Sequence, residues 1–111
     1  MASESLAATA MEAARSISSK FTPILRRRFD DKSYLYNTDG IVFSEAGYPV
    51  VLFNEHINRL EHFLHKGYHD SFDTIDMIDW NYAITITKSA IETVARLAGV
   101  KSKKGLMKKK E

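Results

Sequence analysis

Apolar positions recur along this chain with two different periods, and the changes of period predict its elements. Between Ser3 and Ser19, Leu6, Ala10, Ala13 or Ala14, and Ile17 return at helical spacing in an alanine-rich stretch, with Glu4 where a helix dipole favours an acid. The pattern predicts an amphipathic N-terminal helix over about residues 3–19, whose thin apolar stripe must dock on the body or on a second copy. In FTPILRRRF, Thr22 and Pro23 suit a helix cap and first helical position, while Ile24-Leu25 equally suit the opening of a strand.

The period then shortens. Ser33-Tyr34-Leu35-Tyr36 and Ile41-Val42-Phe43-Ser44 flank Asn37-Thr38-Asp39-Gly40, and Asp-Gly between β-prone runs predicts a hairpin because both residues tolerate positive φ. After a second turn at Glu45-Ala46-Gly47-Tyr48, Pro49-Val50-Val51-Leu52-Phe53 reads as a third strand, with Pro49 tolerated at its first position. Residues 24–29 are a candidate fourth strand. Helical spacing resumes at Asn54, a cap for Ile57, Leu60, Phe63 and Leu64 on one face, with Gly67 as the stop. An acidic connection follows, and from Asp79 a longer helix is predicted to Ala98, with Trp80, Ala83, Ile84, Thr87, Ile91, Val94 and Ala98 in register and Gly99 at its end. A strand over residues 82–87 competes, because Ile84, Ile86 and the threonines alternate and are β-branched. The predicted architecture is α+β: a short antiparallel β-meander of three to four strands covered by helices, in a single domain over residues 1–99.

Composition supports a folded chain. The 111 residues are 44% hydrophobic and 11% aromatic, enough apolar surface for one core. The absence of cysteine excludes disulfides and thiolate metal sites and fits a reducing compartment. No basic leader with a continuous apolar run opens the chain, and no run is long enough to span a bilayer, so a cytoplasmic protein without membrane contact is expected. The net charge of +2 is unevenly placed: six lysines against one glutamate from Gly99 onward leave ten basic and thirteen acidic residues in the remainder. Residues 100–111 therefore read as a basic, disordered tail open to a polyanion.

Charge and aromatic placement supply the candidate chemistry. On an extended strand Lys32, Tyr34 and Tyr36 share one face, and with Arg26, Arg27 and Arg28 upstream they have the composition of a single-strand platform, where bases stack on rings and cations follow phosphates. The competing reading packs both tyrosines beneath a helix and leaves the arginines solvated or paired with Asp30 and Asp31. The tail lysines Lys101, Lys103, Lys104, Lys108, Lys109 and Lys110 suit any polyanion through counterion release. His56, His62, His65 and His69 raise a metal site, since His62 and His65 lie three apart and Glu61 and His65 four apart. No HExxH pattern supports it, so they read as a solvated face and no metal or other cofactor is expected. Asp70, Asp73, Asp76 and Asp79 lack the alternation and central glycine of an EF-hand. With no nucleophile elbow, no glycine-rich phosphate loop and no paired carboxylates in a recognisable frame, catalysis is not expected either.

The run Val50-Val51-Leu52-Phe53-Asn54 leading into His56-Ile57-Asn58-Arg59-Leu60-Glu61-His62-Phe63-Leu64 resembles the strand, asparagine cap and covering helix of the positive-cofactor-four type transcription coactivators and, more remotely, Whirly proteins. In size and basic tail the chain is also similar to small single-stranded-DNA-binding cofactors of RNA polymerase that some lytic bacteriophages carry. The likeness covers about residues 33–66, and it implies a curved sheet that binds single-stranded DNA and a helix that dimerises. It assigns Asn54 as cap, Ile57, Leu60 and Leu64 as the buried face, and Lys32, Tyr34 and Tyr36 as sheet-face contacts, though the flanking helices here depart from that pattern.

These readings converge on a non-catalytic protein that binds single-stranded nucleic acid, DNA before RNA, in support of transcription or replication. Arg26, Arg27, Arg28, Lys32 and the tail lysines would neutralise phosphates, and Tyr34, Tyr36 and Tyr48 would stack bases. The small core suits a homodimer that buries Leu6, Ile17, Ile91 or Val94. The alternative is a protein-interaction module that inhibits or adapts a cellular enzyme such as a polymerase through its acidic and aromatic surface.

Overall fold

A computed structural model describes residues 2–55 and 70–100. Among these the chain forms three α-helices, α1 (Ala2–Ile17), α2 (Gly40–Glu45) and α3 (Trp80–Leu97), with 3₁₀ turns at Leu35–Asn37 and Ile75–Met77. No strand occurs among the described residues, so the expected α+β meander is replaced by a helical arrangement.

The hairpin fails at its turn. A two-residue turn of the expected kind needs positive φ at both central residues, but Asp39 has φ −60° and ψ −22° and leads straight into α2. Among the described glycines, positive φ occurs at Gly47, 87°, and Gly99, 76°. Gly40 serves another purpose, because a Cβ there would lie 3.0 Å from Leu35 Cδ1 and 3.1 Å from Val50 Cγ1. The β-prone run Ile41-Val42-Phe43-Ser44 thus winds into one and a half turns and stops at Gly47, where the Gly47 N–H donates to Ser44 O at 3.1 Å and the Tyr48 N–H to Phe43 O at 3.0 Å. Residues 24–29 and 49–53, the candidate fourth and third strands, lie outside any helix and outside any ladder. Strand preference measures fit to a pleated neighbour, and neither run has one here.

The two long helices follow the sequence closely. Asp79 caps α3, its Oδ1 accepting from the Tyr82 N–H at 3.1 Å. At the other end the Gly99 N–H donates to Arg96 O at 3.1 Å and the Val100 N–H to Ala95 O at 3.0 Å, the paired bonds of a left-handed C-terminal stop. Within α3 the β-branched residues are accommodated because each threonine turns its hydroxyl on a carbonyl one turn back: Thr85 on Asn81, Thr87 on Ala83 and Thr93 on Ser89, at 2.7–2.8 Å. Replacing Asp79 with alanine should remove about 1 kcal/mol of stability, read as a lowered midpoint in a urea melt followed by circular dichroism, while Asp79→Asn should retain most of it.

Helix α1 packs along α3 through a seam of small residues. Ala7, Ala10 and Ala13 on α1 are buried, as are Ser89 and Thr93 on α3, whose hydroxyls are satisfied inside their own helix. Arg96 ties the ends together, reaching Glu92 at 3.0 Å, Ser16 Oγ at 3.2 Å and Glu12 at 3.7 Å. The register of Trp80, Ile84, Ile91 and Val94 is present, but it faces outward and not into this seam. Leu35, held over Gly40, is the other buried apolar side chain among the described residues. The expected covering helix with Ile57, Leu60, Phe63 and Leu64, and the basic tail, lie outside the described residues. No helix of the described residues is long and apolar enough to cross a membrane.

Candidate functional site

Between the α1–α3 pair and the irregular segments 20–29 and 48–55 runs a groove of about 1300 Å³. Its helical wall presents Ala7, Ala10 and Met11 from α1 and Tyr82, Thr85 and Ile86 from α3; the opposite wall presents Leu25, Val50 and Leu52. Phe21 stacks on Tyr82, with ring centroids 5.3 Å apart and planes inclined by 26°, and so closes the groove against the start of α3. The walls are mainly apolar and the charges lie at the rim, the arrangement of a site that buries side chains and orients them by a few polar groups.

The groove gathers much of the set singled out in the sequence, by a different geometry. Arg26, Arg27, Arg28, Lys32, Tyr34 and Tyr48 all line it. Tyr36 does not: it lies in the 3₁₀ turn Leu35–Asn37 and is 48% exposed. With no strand to alternate them, Lys32, Tyr34 and Tyr36 share no sheet face, and the expected platform is absent from the described residues. The tail lysines Lys101, Lys103, Lys104, Lys108, Lys109 and Lys110 lie outside those residues.

Each cation at the rim is held differently. Arg26 Nη1 donates to Lys32 O at 2.7 Å, which folds residues 26–32 back on themselves. Arg27 approaches Glu4 at 3.7 Å in full solvent, a contact of little energetic weight. Arg28 pairs with Glu45 on α2 and lies 5.1 Å from the centre of the Phe29 ring. Its Nε is buried and has no acceptor among the described residues. Within the same loop the Lys32 N–H donates to Asp30 Oδ1 at 2.9 Å, and this bond is the main reason the Asp30 carboxyl is held below its usual range, helped by Asp31, Arg26 and Lys32. The charged form is favoured in the fold, so the contact persists above the ordinary carboxylate range and is lost as pH falls through the lowered value.

Sequence reasoning missed Phe21, Tyr82, Val50 and Leu52 as partners in one site. Phe21 and Tyr82 stand on different elements, and no local spacing marks them as neighbours. The metal possibility receives no support from the described residues, which bring no three of His, Cys, Asp and Glu together as ligands. His56, His62, His65 and His69 lie outside them.

Residues 2–94 match the family model described as Peptidase family M28. No curated protein and no solved structure was found to match the chain. The family match overturns the expected kinship with positive-cofactor-four, Whirly and bacteriophage polymerase-cofactor proteins, and the absence of strands removes the pattern on which that kinship rested. It likewise replaces the expected non-catalytic, single-stranded-nucleic-acid-binding role in transcription or replication, and it lends no support to the enzyme-adapting alternative.

Proposed function

We propose that this chain, which belongs to peptidase family M28, acts on polypeptides, and that the groove between the α1–α3 pair and segments 20–29 and 48–55 receives a stretch of the polypeptide acted on. The observation that carries this reading is the groove itself, about 1300 Å³ in volume and bordered by two stretches of backbone committed to neither helix nor ladder. An extended peptide laid along such backbone exchanges main-chain hydrogen bonds with it, while alternate side chains enter apolar pockets. Leu25, Val50, Leu52, Tyr82 and Ile86 would receive apolar side chains, and the cations of the lining would meet a carboxylate. With Lys20, Arg26, Arg27, Arg28 and Lys32 against Glu4 and Glu55, the lining favours an acidic over a basic peptide.

Peptide hydrolysis also requires an activated water and a group to stabilise the developing oxyanion. In that reaction the groove residues would hold and orient the polypeptide. The test is to incubate the purified chain with a mixed library of short peptides, follow retention by fluorescence anisotropy and identify products by mass spectrometry. Apolar-acidic peptides should be retained, with affinity falling as salt rises. Tyr82→Ala, which removes the Phe21 stack, should weaken retention by about tenfold, the upper end of what an aromatic pair contributes. If no member of the library is retained or cut by the unaltered chain, the reading is lost.

A further inference from the structure

Ahead of α3 the chain presents a segment whose chemistry is the converse of the groove's. Asp70, Asp73, Asp76 and Asp79 recur at every third residue, Phe72, Ile75 and Ile78 recur between them at the same period, and no lysine, arginine or histidine occurs from Asp70 to Thr87. Residues Ile75–Met77 form a 3₁₀ turn, closed by the Ile78 N–H on Ile75 O at 3.3 Å. Three residues complete one such turn, so Ile75 and Ile78 stand side by side with Asp76 next to them. Phe72, Ile75 and Ile78 are 56%, 65% and 43% exposed. An apolar and acidic stretch of polypeptide is thus held open to solvent.

We propose, on the reading of the groove as a peptide site, that the groove of one copy binds residues 70–80 of a second copy, so that the protein occupies its own peptide site in trans. Charge complementarity selects this occupant. Lys20, Arg26, Arg27, Arg28 and Lys32 outnumber Glu4 and Glu55 in the lining, and the segment brings four aspartates with no cation. Its isoleucines match the walls formed by Leu25, Val50, Leu52 and Ile86, and its carboxylates match the rim.

A second copy, and not the same chain, supplies the segment. None of residues 70–80 lines the groove of its own chain. The Asp79 Oδ1 bond to the Tyr82 N–H fixes the course of the chain where it enters α3, and folding the segment back over Tyr82 would break that cap. A groove against a segment is a head-to-tail contact, which passes from copy to copy and does not close as a two-fold dimer. Added peptide and neighbouring copies then compete, and the site is blocked where the protein is concentrated.

The two halves of the contact can be removed separately. Ile75→Asp alters the segment, and Lys20→Glu with Arg27→Glu alters the groove; all three positions are exposed, and circular dichroism should report an unchanged fold. In sedimentation velocity the unaltered chain should grow beyond a dimer with rising concentration. Each variant alone should stay monomeric over the same range, its association weakened at least about a hundredfold by a charge set against an apolar wall or against a like charge. Mixed, the two should form a one-to-one dimer and nothing larger, from the intact groove of the first and the intact segment of the second. A labelled peptide of residues 70–80 should bind the Ile75→Asp chain in fluorescence anisotropy, and its affinity should fall at least about tenfold as salt rises from about 0.1 to 1 M and the screening length shrinks from about 10 to 3 Å. An unaltered chain that is monomeric at every concentration overturns the proposal, as it would be if its own segment filled its groove. So does a mixture of the variants that fails to dimerise. Retention of library peptides without retention of the 70–80 peptide sinks this proposal alone, whereas loss of both sinks the groove's role as a peptide site with it.

Discussion

An Ala13→Leu chain should lose about 3 kcal/mol of stability, the upper range for forcing extra carbons into a filled interior, with the urea midpoint falling accordingly. Ala13 has no exposed surface, and it sits where α1 lies on α3. The two helices meet through Ala7, Ala10 and Ala13 on one side and Ser89 and Thr93 on the other. A leucine could be housed only by separating the helices along their length or tilting one of them. Either movement would also lengthen the reach of Arg96 to Ser16 and Glu12, now 3.2 and 3.7 Å. Ala8→Leu, on the exposed side of the same helix, serves as the control and should leave the midpoint almost unchanged. Equal midpoints for the two variants would show that the seam is not where stability resides.

Gly40→Val should cost about 2 kcal/mol, within the usual range for overpacking, and should weaken peptide retention as well. A Cβ at position 40 would lie 3.0 Å from Leu35 Cδ1, 3.1 Å from Val50 Cγ1 and 3.3 Å from Thr38 Oγ1. Valine adds two methyl groups to that crowding. Leu35 is itself buried and cannot easily withdraw, so Val50 must give way; both line the groove. Gly40→Ala separates the two effects, because its single methyl strains the same contacts while the gain in helix propensity, about 1 kcal/mol, offsets the strain. Urea melts and peptide anisotropy on the two variants would decide it. Full peptide affinity in Gly40→Val would uncouple this turn from the groove.

The parts of the fold that were legible in the sequence are those whose signals are local. The Asp79 cap, the stop at Gly99 and the alanine-rich start each depend on a few consecutive residues, and α1 and α3 appear where those residues place them. The hairpin was misread because Asp39-Gly40 is as compatible with entry into a helix as with a tight turn, and only the positions of Leu35 and Val50 decide between them. The direction of α3 was equally hidden. Its apolar register could be read, but the face turned to α1 is the one carrying Ser89 and Thr93, whose hydroxyls become harmless in a packed seam only through bonds within their own helix. The basic and aromatic residues of the groove were found by composition, which does not decide their ligand, since a rim of arginines suits any anionic group and does not by itself distinguish a phosphate from a carboxylate.

The seam between α1 and α3 also shapes how this protein responds to temperature. Alanine, serine and threonine contribute little hydrocarbon area when they close on one another, and the heat capacity change of unfolding is set chiefly by that area. The association of these two helices is therefore governed by closeness of fit more than by water release, and its strength changes gently between cold and warm conditions.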